Sequence, residues 1–439
     1  LRRRGRSEVA ALREAVKGNG MRLTDEERAM LAGEAGSARQ WALQHQIAVG
    51  ELFDAPDLVP VSQAHIMADT ESLGEAGVAW LEALAALPPE ERGVRIPTIT
   101  DPRGLDFASY RRLKQTEAMA DIEARTICAF EALGVLMTNT CINYQTVLPP
   151  VRGEHLAMGD TGVVIYSNSV QGARSNFEGG PSALAAGLTG RTPRYGYHLD
   201  ARRAGTRHFE LRHRPRDLAD WGALGGIVGR AAGSYWEVPV VSGVLDQIGR
   251  PPSSDELKHF GAALASFGSV ALFHMPGITP EAPGLADAFA GRPVPPSVPI
   301  GTDDFEAFFA GYAAAGDKVD VVVFGAPQLS LMEMQRVAGL LDGRRIHQQT
   351  ALIVATSPEI KFAADRMGLT RRMEAAGAIV AAGVCFYQSY AREMAEANGW
   401  QRLLTNSAKL VNIIAGYGYQ PTLASMERCI DSAVAGRIV

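Results

Sequence analysis

Residues 350–384, TALIVATSPEIKFAADRMGLTRRMEAAGAIVAAGV, decide the fold of this chain. Two short apolar runs, TALIVATS (350–357) and GAIVAAGV (377–384), enclose a segment with apolar residues at helical spacing, PEIKFAADRMGL (358–369). Apolar runs that lack a polar alternation, separated by an amphipathic helix, are typical of a βαβ unit whose parallel sheet is covered on both faces. The stretch therefore predicts an α/β fold.

The same alternation extends in both directions from this unit. The runs GSVALFHM (268–275), DVVVFG (320–325) and QRLLTNS (401–407) are predicted to be strands, and LSLMEMQRVAGLL (329–341) and SAKLVNIIAGY (407–417) are predicted to be helices. Ligands of open parallel sheets bind beyond the carboxyl ends of the strands. The residues expected at that edge are His274, Gly325, Thr356, Ser357, Cys385, Thr405, Asn406 and Ser407.

The first part of the chain has a different pattern. SARQWALQHQIAVGELF (37–53) and GEAGVAWLEALAAL (74–87) carry apolar residues at helical spacing, and Thr24 with Glu27 matches a capping box that begins a helix. The predicted architecture is thus a helical N-terminal layer followed by parallel-sheet βαβ subdomains. Three segments are expected: residues 1–20 as an extension, linker or tail of a preceding fused domain, 21–235 as the helical layer with a candidate ligand-binding loop, and 236–439 as the α/β subdomain.

Composition and missing motifs exclude several classes of protein. The net charge is −5 over 439 residues, with no basic stripe, which argues against a nucleic-acid partner. No apolar run reaches the ~18 residues of a membrane span, and four scattered cysteines indicate the reducing cytoplasm. Dinucleotide-binding, P-loop and serine-hydrolase motifs are absent, and His208 with His213 lacks the nearby thiolates that would favour zinc.

A polar, glycine-rich segment, Tyr166–Leu199, is the main candidate for a binding site in the first half. Pro181 follows two glycines and suits the first turn of a helix, whose free N–H groups would face the loop. An arginine fork among short hydrogen-bonding side chains favours a small carboxylate or phosphate, although a surface loop with ordinary turns has the same composition. The candidate ligand-binding residues are Ser167, Asn168, Ser169, Arg174, Ser175 and Asn176.

Three motifs in this region make the interpretation more specific. They are GEHLAMGDTG (153–162), NSVQGARSNFEGGPSALAAGLTG (168–190) and TPRYGYHL (192–199). They closely resemble the aconitase X family, a distant branch of the aconitase superfamily. TNSAKL (405–410) and Cys429 also fit this resemblance, which extends over the whole chain from Met21.

The resemblance implies an aconitase-like fold and an iron–sulfur hydro-lyase, a dehydratase. Members act with a small swivelling subunit, either separate or fused, and a serine of that subunit is a candidate base. Two substrates are associated with the family, and CINYQ (141–145) and SNSVQGARSNFEGG (167–180) resemble the cis-3-hydroxy-L-proline type, which yields a cyclic imine. The alternatives are the large subunit of a phosphomevalonate dehydratase and an iron–sulfur protein without catalytic activity.

The resemblance also implies roles for individual residues. Cys141, Cys385 and Cys429 would hold the cluster. Some relatives have a cysteine at the position of Ala326, and its absence here favours a 2Fe–2S cluster over a cubane. Arg174 would anchor the substrate carboxylate. The candidate acid–base groups are Glu154, His155, Asp160, Glu178 and His198.

Overall fold

The computed structural model describes residues 20–439, so the predicted extension over residues 1–20 lies outside the described residues except for Gly20. The helices are α1 (Asp25–Ala32), α2 (Ser37–Leu52), α3 (Thr70–Ala85), α4 (Pro89–Arg92), α5 (Glu117–Ala132), α6 (Thr161–Ser169), α7 (Gly179–Thr189), α8 (Leu218–Ala232), α9 (Val244–Ile248), α10 (Ser254–Gly268), α11 (Leu285–Ala288), α12 (Thr302–Ala310), α13 (Leu331–Leu340), α14 (Pro358–Arg366), α15 (Leu369–Ala375), α16 (Ala391–Asn398), α17 (Ala408–Ile414) and α18 (Met426–Ala435). The strands are β1 (Leu58–Pro60), β2 (Ala64–Ile66), β3 (Thr98–Thr100), β4 (Ala157–Met158), β5 (Arg191–Pro193), β6 (Arg207–Leu211), β7 (Pro239–Ser242), β8 (Val298–Ile300), β9 (Val321–Leu329), β10 (Ala351–Thr356), β11 (Ile379–Ala382), β12 (Arg402–Thr405) and β13 (Gln420–Leu423).

The predicted parallel sheet is confirmed. Five parallel strands lie in the order β11-β10-β9-β12-β13. Successive residues of β9 are buried on opposite faces of the sheet. Val322 and Phe324 pack with α13, α14, α15 and α18, whereas Val321 and Val323 pack with α16 and α17. This double burial explains why the strands read as continuous apolar runs in the sequence.

One predicted strand is absent from this sheet. GSVALFHM contributes a single parallel bridge between His274 and Val240 of β7, in a separate three-stranded sheet with the order β7-β6-β8. The prediction of His274 at the main sheet edge is therefore wrong, and its Nε2 lies 2.7 Å from the carbonyl oxygen of Arg203. The predicted boundary at residue 235 falls between β6 and β7, which pair directly.

The N-terminal part combines helices with a small parallel sheet of order β3-β2-β4. The capping box of Thr24 and Glu27 is present and begins α1, as predicted. The loop after β3 meets the loop after β11, because the Arg103 N–H donates to the Gly383 carbonyl at 2.9 Å. The carboxyl ends of the two sheets thus face the same place. Within residues 20–439, no helix has both the length and the apolar character needed to cross a bilayer.

Candidate active site

Two buried thiols lie where these sheet ends meet. Cys385 follows β11, Cys141 follows the loop that runs beside β3, and they are 1% and 3% exposed. A hydrogen bond from the Cys385 thiol lowers the pKa of Cys141, whereas burial raises the pKa of Cys385 well above its usual range. The Gln328 N–H also points to the Cys141 sulfur at 3.4 Å. The Cys385 thiol also lies 3.1 Å from the Gly325 carbonyl oxygen.

The third predicted thiol lies elsewhere. Cys429 belongs to α18 and packs on the opposite face of the main sheet from Cys385, with its sulfur 3.9 Å from the Ala424 carbonyl oxygen. Burial raises its pKa, so the geometry gives Cys429 a place in the core rather than beside the thiol pair. Ala326, in contrast, packs in the same cluster as Cys385. The position that some relatives fill with cysteine is therefore close to the thiols, and alanine occupies it here.

A cavity of about 410 Å³ carries a lysine and a carboxylate on its wall. Ser407 caps α17 after β12 ends, which places Lys409 in the first helical turn at the sheet edge. Its ammonium lies 3.3 Å from Asp160, which caps α6. Burial lowers the pKa of Lys409, but the charges of Asp160 and of the two cysteines outweigh burial and hold that pKa above its usual range. Lys409 therefore remains a cation.

Three further groups lie near the thiols and the lysine, and two of them, Asp101 and His65, are fully buried. Asp101 directly follows β3, accepts the Gln388 amide at 2.9 Å with one oxygen, and has no hydrogen-bond partner for the other. Burial, followed by the charge of Asp160, raises the pKa of Asp101 well above its usual range. His65 approaches Asp101 at 3.6 Å, and the Tyr387 ring lies 5.5 Å from the Lys409 nitrogen.

The sequence analysis predicted Asp160 as a candidate acid–base group but missed Asp101, His65, Tyr387 and Lys409, although signals for Asp101 and Lys409 existed. Asp101 and Asp160 follow the parallel strands β3 and β4, so the edge rule applied to the smaller sheet would have found both. Lys409 stands in the TNSAKL motif, to which no role was given.

Among the five predicted acid–base residues, Asp160 lines the cavity and the other four do not. His155 and His198 face each other with their Nδ1 atoms 2.9 Å apart, and burial, then the neighbouring His198, lowers the pKa of His155 to about 4. Glu178 accepts a hydrogen bond from Thr192 at 2.8 Å and lies 4.0 Å from His198. Glu154 closes a local turn by accepting the Val151 N–H at 2.7 Å. Glu154, His155, Glu178 and His198 therefore lie outside the cavity lining, in separate hydrogen-bonded groups.

The predicted ligand-binding loop is largely occupied with itself. Arg174 pairs with Asp200 and donates to the His198 carbonyl at 3.2 Å. The side chains of Asn168, Ser169, Ser175 and Asn176 bond to backbone groups, and the buried Ser167 hydroxyl has no hydrogen-bond partner. The predicted helix that starts near Pro181 is confirmed as α7. Arg174 and most of the loop side chains thus contact protein groups, and the anchoring role of Arg174 stays a prediction.

The thiol pair fits a cofactor that takes two protein thiolates. Asn143, two residues after Cys141, is fully buried, and neither its amide oxygen nor its nitrogen has a hydrogen-bond partner. Over residues 20–439, no three His, Cys, Asp or Glu side chains converge as ligands of one metal ion. Cys141 and Cys385 suit an inorganic cluster that keeps open positions, and within residues 20–439 no third thiolate is brought to them.

Comparison with known proteins places this geometry in context. Sequence models of the aconitase X first, second and third domains match residues 20–201, 205–310 and 319–435. The phosphomevalonate dehydratase large subunit of Methanothermobacter thermautotrophicus is 34% identical over 89% of this chain and 93% of its own length. The cis-3-hydroxy-L-proline dehydratase of Pseudomonas aeruginosa is 31% identical over 95% of this chain and 71% of its own length.

A solved structure supports the same relationship. The crystal structure of Thermococcus kodakaraensis aconitase X in its holo-form superimposes with a TM-score of 0.83 at 28% identity, over 94% of this chain and 100% of that chain. The predicted α/β architecture with aconitase-like subdomains is thereby confirmed.

Proposed function

This chain belongs to the aconitase X family and is a hydro-lyase, and from that premise we propose that it dehydrates cis-3-hydroxy-L-proline to a cyclic imine. The observation that carries the choice of substrate is the charge of the cavity wall. Of the cavity-lining residues that the structure describes, Lys409 is the single cation and Asp160 the single carboxylate. One cation and one anion match an amino acid, which has one carboxylate and one ammonium group.

The ammonium of Lys409 has donors to spare for the substrate carboxylate. A lysine ammonium has three donors, and the described contacts of Lys409 use one of them, on Asp160 at 3.3 Å. Removal of the proton next to a carboxylate transfers negative charge onto its oxygens. A buried cation held against those oxygens stabilises the transition state more than the substrate, which is the requirement for catalysis.

Asp160 positions both the lysine and the substrate. One oxygen accepts the N–H groups of Gly162 and Val163 at 2.7 and 3.1 Å, and the other faces Lys409. These bonds fix the carboxylate, which then accepts the ring ammonium of the substrate. In this proposal Asp160 holds Lys409 and the substrate ammonium, and we assign the general base to a small partner subunit.

Cys141 and Cys385 are the residues that would hold an iron–sulfur cluster. Such a cluster supplies a Lewis acid that assists departure of the hydroxyl group. With two protein thiolates and an alanine at position 326, we propose a 2Fe–2S cluster rather than a cubane. Asn143, buried and without a hydrogen-bond partner, would face the bound group.

A small subunit completes the site in this proposal. Curated relatives are named as large subunits, and the chain spans 71% of the Pseudomonas aeruginosa dehydratase. The partner would cover the cavity mouth, where Phe177 and Tyr235 lie on the wall. Exclusion of water there strengthens the interaction between Lys409 and the substrate.

Substrate consumption tests the proposal. The chain, purified anaerobically together with its small partner, should consume cis-3-hydroxy-L-proline and release a product with the absorbance of a conjugated imine. Absence of turnover despite an intact cluster absorbance band would instead favour the iron–sulfur protein without catalytic activity.

Phosphomevalonate is the second candidate, because five curated relatives of that name, at 30–34% identity, match over 93–100% of their own length. That substrate carries a phosphate in addition to a carboxylate, and the described lining of the cavity includes no arginine to bind it. Consumption of phosphomevalonate and not of hydroxyproline would overturn the proposed substrate.

A further inference from the structure

Gln328 is the most heavily bonded side chain beside the thiol pair. It lies near the end of β9 and is fully buried. The side-chain oxygen of Gln328 accepts the Cys141 N–H at 3.2 Å. The backbone N–H of Gln328 points to the Cys141 sulfur at 3.4 Å. One residue therefore contacts Cys141 at both the backbone and the thiol.

The amide nitrogen of Gln328 binds the other segments that meet here. It lies 3.1 Å from the Asn139 carbonyl oxygen, 3.2 Å from that of Thr356, and 3.2 Å from that of Val384. Val384 directly precedes Cys385. The two hydrogens of one amide are thus shared among the Cys141 loop, the end of β10 and the segment that carries Cys385.

Other hydrogen bonds hold each segment to neighbouring backbone, such as the Arg103 N–H to the Gly383 carbonyl at 2.9 Å and the Thr140 N–H to the Thr100 carbonyl at 3.0 Å, whereas the Gln328 side chain contacts the segments of both thiols. Both thiols stand in irregular backbone outside the strand ladder, and Asn139 has φ +50°, a conformation that persists only where surrounding contacts determine it. The backbone oxygen of Gln328 accepts the buried Lys258 ammonium at 3.2 Å, which anchors the residue to α10.

We propose that Gln328 is a positioning residue that sets the distance between Cys141 and Cys385. The use of these thiols as cluster ligands rests on the proposed function, but the positioning itself does not. A residue that only stabilised the fold would alter the free energy of unfolding without changing the proximity of the thiols in the folded chain. The two roles can therefore be separated by a measurement of proximity.

Disulfide trapping in the metal-free full chain provides that measurement. Diamide takes two electrons and two protons from a pair of thiols, and peptide mass mapping then quantifies the Cys141–Cys385 disulfide against time. We expect Gln328→Met, nearly isosteric but without the side-chain hydrogen bonds of Gln328, to lower the trapping rate about tenfold, as the loss of bonds worth about 1–2 kcal/mol implies.

Gln115→Met is the matched control. Gln115 is also a buried glutamine, and its amide donates to the carbonyls of Gly104 and Ser389 at 3.1 and 2.9 Å, with no contact to either thiol in the described contacts. It should lose a comparable amount of thermal stability and keep the wild-type trapping rate. Equal slowing in both variants, or no slowing in folded Gln328→Met, would overturn the proposal.

A second variant decides the matter if Gln328→Met fails to fold. Gln328→Glu keeps the acceptor for Cys141 but removes the donors to Asn139, Thr356 and Val384. It should slow trapping and also lower the iron and sulfide retained after anaerobic reconstitution. Wild-type values of both in folded Gln328→Glu would overturn the proposal. Failure to dehydrate any substrate would leave the trapping result intact, so the two proposals fail separately.

Discussion

Lys258 and Lys409 are both buried lysines paired with a carboxylate, and they differ in what the rest of the ammonium contacts. Lys258 pairs with Glu333, donates to the Gln328 carbonyl at 3.2 Å, and lies 3.3 Å from Asp255. Lys409 has a single described hydrogen bond, to Asp160, and lies on a cavity wall.

The difference shows how a structural ion pair can be told from a binding site. An ammonium whose three donors all meet protein groups cannot bind a ligand without leaving one of those groups unsatisfied. An ammonium with unused donors in a cavity gains most when a ligand oxygen arrives. Burial and pairing are the same for both lysines, so the unused hydrogen-bonding capacity is the informative property.

The largest expected effect is on activity, at Lys409. Lys409→Met should lower kcat/KM for cis-3-hydroxy-L-proline by about 10³–10⁴-fold, equal to about 4–5 kcal/mol, because a desolvated carboxylate loses its cationic partner. Thermal stability should fall as well, because the buried Asp160 keeps its two backbone N–H donors but loses its counter-charge. Steady-state kinetics and thermal unfolding measure the two effects.

A surface lysine provides the control for this variant. Lys361 pairs with Asp365 along one face of α14, outside the cavity lining. Lys361→Met should keep kcat/KM within twofold of wild type. If Lys409→Met kept wild-type kcat/KM as well, the distinction between the two buried lysines would fail.

The next effect is on stability, at the partner of Lys258. Glu333→Gln removes the more deeply buried carboxylate partner of Lys258 and leaves the ammonium with Asp255 alone, which should lower the free energy of unfolding by about 3 kcal/mol. Urea unfolding at neutral pH provides the value. Glu427→Gln is the control, because the Glu427–Arg336 pair is exposed and should contribute under about 1 kcal/mol. Equal losses in the two variants would contradict this reading.

Glu123 is a buried carboxyl group with no lysine among its described partners, and it extends the comparison to the effect of pH. Burial would raise the pKa of Glu333, but Lys258, first among the opposing influences, holds it at about 2, whereas burial raises the pKa of Glu123 to about 7. The unfolded chain releases the Glu123 proton near pH 4.5 and the folded chain near pH 7. The contribution of Glu123 is therefore fully present below pH 4.5 and is lost as the pH rises to about 7.

Glu123→Gln imitates the protonated side chain and should remove this loss. The variant should be about 2–3 kcal/mol more stable than wild type at pH 8 and equal to it at pH 4.5. The measurement is the difference in unfolding free energy across that range. A difference that does not change with pH would show that Glu123 ionises normally in the folded chain.

The sequence predicted the βαβ unit around residues 350–384 because its signals are local. Each strand and its following helix lie within about twenty residues, and Cys385 stands at a strand end where the edge rule applies. The same kind of apolar run led to a wrong prediction at GSVALFHM, which does not join the five-stranded sheet. An apolar run indicates burial but does not show which strands pair.

The site was harder to predict because it depends on contacts between distant segments. Lys409 and Asp160 are 249 positions apart, and no local pattern shows which of two buried lysines keeps unused donors. The polar loop Tyr166–Leu199 presents the opposite difficulty, because its composition predicts more ligand contacts than its described hydrogen bonds leave free. Its serines and asparagines suggested a ligand, but local side-chain to backbone bonds satisfy most of them, which the sequence does not reveal.

The smallest expected effect is in that loop, at Ser175. Its hydroxyl donates to the Asn176 carbonyl at 2.7 Å and accepts the Met158 N–H at 3.0 Å. Ser175→Ala leaves both groups buried without this partner and should lower the unfolding free energy by about 1–2 kcal/mol. Because Ser175, like Lys258, has its capacity used by protein groups, KM should stay within twofold of wild type. A tenfold rise in KM at unchanged stability would show instead that the loop binds the substrate.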